Sequence, residues 1–295
     1  PNFRHQVVRV DLASGDQRGV DVGRQPSSGG FAVSLHSLTY GPDGRIWLVA
    51  EASDLALGLN AETLAEEVRV AVPGRPRSVV ASADALYVHG NQGFEVHHLS
   101  AAGAVEISGA TAADPRPAAL AAGQRYFSGT GREFAQNWGC DGCHAEARSD
   151  TVIWKAGPFE TAREVTRPLF WLEGTYPLGW GGYVRSPRNF AFATNTNVGI
   201  RPNSDEAEGL ADYLESLMPP PAANGYTRRD GALSEQAERG KAIYEGKGAC
   251  AGCHPLPLTT SRVVVPEGIT PGVTDIPALV GAYRHNVWLK HGDAY

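Results

Sequence analysis

From His5 to about Ala110 the apolar positions fall in short runs broken by turn residues, the pattern of strands and tight turns. Val7, Val8, Val10 and Leu12 lead into Ala13-Ser14-Gly15-Asp16. Leu38-Thr39-Tyr40 reaches the turn Gly41-Pro42-Asp43-Gly44, and Ile46-Trp47-Leu48-Val49 comes next as a second strand. The same order recurs as Val79-Val80-Ala81, Ser82-Ala83-Asp84 and Leu86-Tyr87-Val88, so that Ser37 to Ser78 and Trp47 to Tyr87 give a period of about 40 residues. That is the length of a four-stranded propeller blade. Leu57-Gly58-Leu59-Asn60 and Phe94-Glu95-Val96-His97 supply the outer strands. About 110 residues make two to three blades, fewer than a closed propeller needs, so the expectation is a piece of a longer polypeptide or a small sheet packed on the C-terminal part of the chain; a generic antiparallel sandwich is the alternative.

The pattern changes around Thr111-Ala112-Ala113-Asp114-Pro115-Arg116-Pro117. Helical spacing then replaces alternation. Ala118 to Phe127 is one helix; Ser204-Asp205-Glu206-Ala207-Glu208 opens a second, whose apolar stripe is Leu210, Tyr213, Leu214 and Leu217 and whose stop is Pro219-Pro220-Pro221. Ser234 caps a third that runs to Tyr244. The expected organisation is multidomain α and β: residues 1–112 an incomplete β-propeller-like domain, and 113–224 and 225–295 two α-helical domains, the second truncated.

Composition narrows the function. In 295 residues there are 35 Gly and 20 Pro beside 42% hydrophobic residues, the make-up of a loop-rich globular chain. A net charge of -6 argues against nucleic acid as the main partner. No apolar run reaches the ~18 residues that cross a bilayer.

The chemistry lies in Cys140-Asp141-Gly142-Cys143-His144 and Cys250-Ala251-Gly252-Cys253-His254, which use all four cysteines. A Cys-x-x-Cys-His run attaches haem c: the thiols add to the porphyrin vinyl groups and the histidine ligates iron. A thiol redox pair or half of a zinc site shares the spacing, but neither needs the trailing histidine twice. The expected cofactors are thus two covalent haems, bound by Cys140, Cys143, Cys250 and Cys253 with His144 and His254 on iron. Thiol-attached haem belongs to the periplasm or another exported compartment. The chain opens at Pro1 in polar sequence and is expected to be a mature or trimmed product.

Several features resemble one family. Gly123 with Phe127, and Gly240 with Tyr244, are similar to the N-terminal helix of cytochrome c folds. Thr274-Asp275-Ile276-Pro277-Ala278-Leu279-Val280-Gly281-Ala282-Tyr283-Arg284-His285, with His291-Gly292-Asp293 beyond it, resembles a segment of the bacterial di-haem cytochrome c peroxidase family, whose final order is His-Asp-Gly. The strand repeats resemble propellers of the YVTN type, an extension some members carry. The resemblance covers roughly residues 118–295 and implies electron transfer with a redox partner protein. It also implies peroxide reduction, or oxidation of a partner, at one haem. Trp180 in Leu178-Gly179-Trp180-Gly181-Gly182 matches the tryptophan between the family's two haems and is the candidate catalytic residue, although a core aromatic is as good a reading.

The second axial position decides reactivity. Met218 is the only methionine and no histidine lies between His144 and His254. Tyr176 and Tyr183, then His36, His89, His97 and His98, are the remaining candidates for the first haem, and His285 and His291 for the second. Asp275, Glu173 and Arg188 are candidate neighbours of a haem propionate or of calcium. An open position would make a peroxidase-type enzyme; two filled positions would make an electron-transfer subunit of a larger complex.

Overall fold

The computed structural model describes residues 6–22, 34–100, 104–129, 139–155, 163–190, 203–219, 226, 230–266, 273–280 and 282. The chain divides into two compact units, Pro1–Gly142 and Cys143–Tyr295, with the division inside the first Cys-x-x-Cys-His run.

The first unit holds a hairpin and two four-stranded antiparallel meanders. Strands β1 (Gln6–Val10) and β2 (Gln17–Asp21) form the hairpin. One meander is β3 (Leu35–Tyr40), β4 (Arg45–Ala50), β5 (Leu55–Asn60) and β6 (Glu66–Ala71), in that order across the sheet; the other is β7 (Pro76–Ala81), β8 (Ala85–Gly90), β9 (Glu95–Ser100) and β10 (Val105–Ala110). These are the two blade-like repeats expected from the period.

Burial explains why β4 and β5 are almost continuously apolar instead of alternating. Ile46, Leu48 and Ala50 pack with Leu55, Leu57, Leu59 and Val22 on one face, where Val7 and Val20 of the hairpin cover them. Trp47, Val49 and Ala56 face the other way, onto Val79, Leu86, Val88 and Leu99 of the second meander. A sheet covered on both sides needs apolar residues at both parities, and each fully buried Leu or Val contributes about 1.5–3 kcal/mol. Trp47 also closes its own turn. Its indole N–H points to the Asp43 carboxylate at 3.3 Å, and its ring lies against Gly41 and Gly58, where a Cβ would approach to 2.6 and 3.1 Å.

Helix α1 (Ala118–Phe127) belongs to the same unit and buries Gly123, Tyr126 and Phe127. Arg75, 3% exposed, reaches its C-terminal end and donates to the carbonyls of Arg125 (2.7 Å) and Gly129, and also to that of Ala52 (2.9 Å).

The second unit corrects the expected fold class. Two α-helical haem domains are not what the chain forms: strands predominate over the described residues of the whole chain, and in this unit two helices are accompanied by short β-hairpins. The helices here are α2 (Ser204–Ser216), with a capping box between Asn203 and Glu206, and α3 (Glu235–Glu245), capped by Ser234. The unit also contains 3-10 turns and two hairpins, β11 (Ile153–Lys155) with β12 (Arg163–Val165) and β13 (Val264–Pro266) with β14 (Val273–Asp275). The local reason is composition. Each Cys-x-x-Cys-His run is succeeded by β-branched residues, Thr151-Val152-Ile153 and Val263-Val264-Val265, the latter leading into Pro266, and these disfavour a continuing helix. No helix among the described residues is long and apolar enough to cross a membrane.

Candidate functional site

Both cysteine pairs sit at 3-10 turns, Cys140–Gly142 and Cys250–Gly252, and none of the four cysteines forms a disulfide. In the second motif the amides of Cys253 (3.2 Å) and His254 (2.9 Å) both return to the Cys250 carbonyl, and the Tyr244 hydroxyl of α3 donates to the His254 carbonyl. His254 Nδ1 lies 2.9 Å from the Thr259 carbonyl oxygen. A carbonyl only accepts, so Nδ1 carries the proton and Nε2 keeps its lone pair for a metal. The fit to a haem iron ligand is therefore good: exposed thiols on one turn, and an imidazole whose tautomer is set from behind.

The first motif reaches the same end by burial. Loss of water around His144 pushes its pKa down to about 4, against the opposing charge of Asp150 and the carbonyls at Arg167 and Arg148. The imidazole is thus neutral, the form that ligates. Asp150 N–H donates to the Cys143 carbonyl at 3.0 Å, and Ser261 N–H makes the equivalent bond to Cys253 at 2.9 Å.

The two motifs head one repeated structure that the residue pattern alone did not reveal. After each comes a hairpin and then a turn. Val165 and Asp275, the last residues of β12 and β14, are separated by the same 110 positions as His144 and His254. Trp180 joins these equivalent points: its indole N–H donates to the Val165 carbonyl and its own carbonyl accepts from Asp275 N–H, both at 2.7 Å. Arg167 lies over the indole, 5.1 Å from its centroid, and donates to Asp275 Oδ2 at 2.9 Å. Burial raises the pKa of Asp275, and Arg167 opposes that rise.

The other candidate ligands and neighbours are dispersed. Met218 is exposed past the end of α2 and Tyr183 is exposed before its start, while the Tyr176 hydroxyl donates to Glu215 at 3.1 Å. Arg188 pairs with Glu208 and Asp275 with Arg167, so both already have partners; Glu173 is exposed in a 3-10 turn, Leu172–Gly174. His97 is buried against Ser108 Oγ (2.7 Å), His98 pairs with Glu106 (3.0 Å) and His89 is exposed. His285 and His291 lie outside the described residues.

His36 takes part in a cluster that was not foreseen, with Glu51 and Asp141, whose ligand-type atoms lie within 4.8 Å of one another. Glu51 is fully buried and is held by His36 (2.8 Å), Arg77 (2.7 Å) and Asn91 (3.3 Å). Asp141, between the first two cysteines, accepts from Ser34 Oγ at 3.2 Å; burial and the Glu51 charge push its pKa up to about 7. No signal marks this cluster in the sequence, because its members come from β3, the turn after β4, and the haem motif.

No family model matches the chain, and no curated protein does. Among solved structures it is similar to a hydrazine synthase chain from Kuenenia stuttgartiensis, at 18% identity over 61% of this chain and 77% of that one, with a TM-score of 0.49. It is also similar to the diheme peroxidase BthA from Burkholderia thailandensis, at 13% identity over 62% and 70%, with a TM-score of 0.44. Virginiamycin B lyase from Staphylococcus aureus matches at 17% over 35% and 33%, with a TM-score of 0.29, so the chain spans about a third of that enzyme.

Proposed function

We propose that the chain is a two-haem redox protein of an exported compartment, with covalent haem at Cys140 and Cys143 and at Cys250 and Cys253. The observation that carries this reading is the second motif, where free thiols share one turn with a histidine whose Nδ1 is committed to Thr259 and whose Nε2 is left to bind iron. Bound haem would supply one-electron chemistry, and an open iron position would admit peroxide. The chain's own residues hold the imidazoles neutral and oriented, and Trp180 ties the two repeats together. Met218, the single methionine, is exposed past α2, which supports a first haem without a thioether ligand and hence a peroxidase-type activity served by a redox partner protein. The test is two-fold. Pyridine haemochrome spectra with peptide mass mapping should give two thiol-bound haems, falling to one in either double Cys→Ala variant. Low-temperature electron paramagnetic resonance should then show one high-spin and one low-spin iron; two low-spin signals would leave an electron-transfer subunit and remove the peroxidase activity.

A further inference from the structure

Trp180 is bonded to the same position of both repeats, and the guanidinium of the Arg167–Asp275 ion pair lies over its ring. We propose that Arg167 and Asp275 set how easily Trp180 gives up one electron, and that the oxidised indole keeps its proton. This rests on the two-haem reading for its biological use.

The indole N–H donates to the Val165 carbonyl at 2.7 Å. An amide carbonyl cannot take a proton, so removal of one electron leaves a radical cation with its N–H intact. The step balances without bond breaking: one electron leaves the indole for a one-electron oxidant, a ruthenium(III) complex in the test below and an oxidised haem iron under the two-haem reading, and one electron from a reduced partner protein restores it. The Arg167 guanidinium, 5.1 Å from the ring centroid, repels the new positive charge, whereas it attracts the neutral ring. Asp275 offsets that repulsion, with its carboxylate 2.9 Å from Arg167 and no solvent exposure. Arg167 also donates to the Gly179 carbonyl at 3.1 Å and is largely buried, so water screens these charges weakly. Removing either partner should therefore shift Trp180 oxidation in opposite directions.

The experiment uses the holoprotein and flash-generated tris(bipyridine)ruthenium(III) as oxidant, with the indole radical tracked by transient absorption and paramagnetic resonance. Trp180→Phe defines the part of the signal that belongs to Trp180. Arg167→Gln should speed formation of the Trp180 radical roughly tenfold, Asp275→Asn should slow it by a similar factor, and Arg167→Lys should stay within about threefold of the parent. The same direction in Gln and Asn variants, or no change in either, overturns the proposal, as does a neutral-radical spectrum. Haem content is read in the same samples. A protein without haem would sink the two-haem reading while the ruthenium oxidant still reports the effect of Arg167.

Discussion

Arg75→Met is the sharpest test of how the first unit is held together. The guanidinium is almost fully buried, and its two terminal nitrogens donate to main-chain carbonyls: those of Ala52, Arg125 and Gly129, with a longer bond of 3.4 Å to Glu51. Two of these carbonyls belong to the turn after β4 and two to the end of α1, where helical carbonyls lack intrahelical partners. Burial lowers the Arg75 pKa, while the charges of Asp54 and Glu51 support the cation. Methionine fills a similar volume but donates nothing. Hydrogen bonds to a charged group contribute about 1.5–3 kcal/mol each, and carbonyls that regain water recover part of that, so the expected loss is about 3–5 kcal/mol. That is a large fraction of the 5–15 kcal/mol typical of a folded domain. Urea unfolding monitored by far-ultraviolet circular dichroism measures it. Arg9→Met is the control, because its ion pair with Glu62 is exposed and should be worth about 0–1 kcal/mol. A loss below about 1 kcal/mol for Arg75→Met would refute the idea that these carbonyls depend on it.

Other residues give further expected outcomes. Asp141 is held protonated in the folded chain up to about pH 7, above its ordinary 3.8, so the folded state binds the extra proton and stability should fall as pH rises between these values; Asp141→Asn should flatten that slope in denaturation curves recorded across the range. Glu51 has the opposite sign: burial raises its pKa, but the His36 hydrogen bond and the Arg77 charge outweigh burial and lower it, so its contribution is present above 4.5 and lost as pH falls further, a loss that Glu51→Gln should abolish in acid titrations. Gly41→Ala places a methyl group 2.6 Å from the Trp47 ring and should cost about 1–3 kcal/mol by overpacking, read as a lower urea midpoint. Leu57→Ala, at a site with no exposure on the face of the first meander that the β1–β2 hairpin covers, should cost about 2–5 kcal/mol by the same assay.

The blade-like repeats were legible because each strand's pattern is local: turn residues at Gly41–Gly44 and Ser82–Asp84 punctuate apolar runs at a fixed period. The helix opening at Ser204 and the one capped by Ser234 were legible for the same reason, since helix-start signals act within three or four residues. Those helices do not extend into two α-helical domains. The glycine and aromatic of Gly123–Phe127 and Gly240–Tyr244 point that way, but the β-branched and proline residues after each motif outweigh them and form hairpins instead.

What the residues alone determined is where the candidate chemistry lies: each of two Cys-x-x-Cys-His runs gathers two thiols and an imidazole within five consecutive positions, so no folding is needed to bring these groups together. What only the tertiary structure decided are the groups gathered from a distance. Thr259 behind His254, Arg167 over Trp180 beside Asp275, and His36 with Glu51 and Asp141 meet through pairing and burial among separate segments, and such contacts are set by the packing of the whole unit, not by any local spacing.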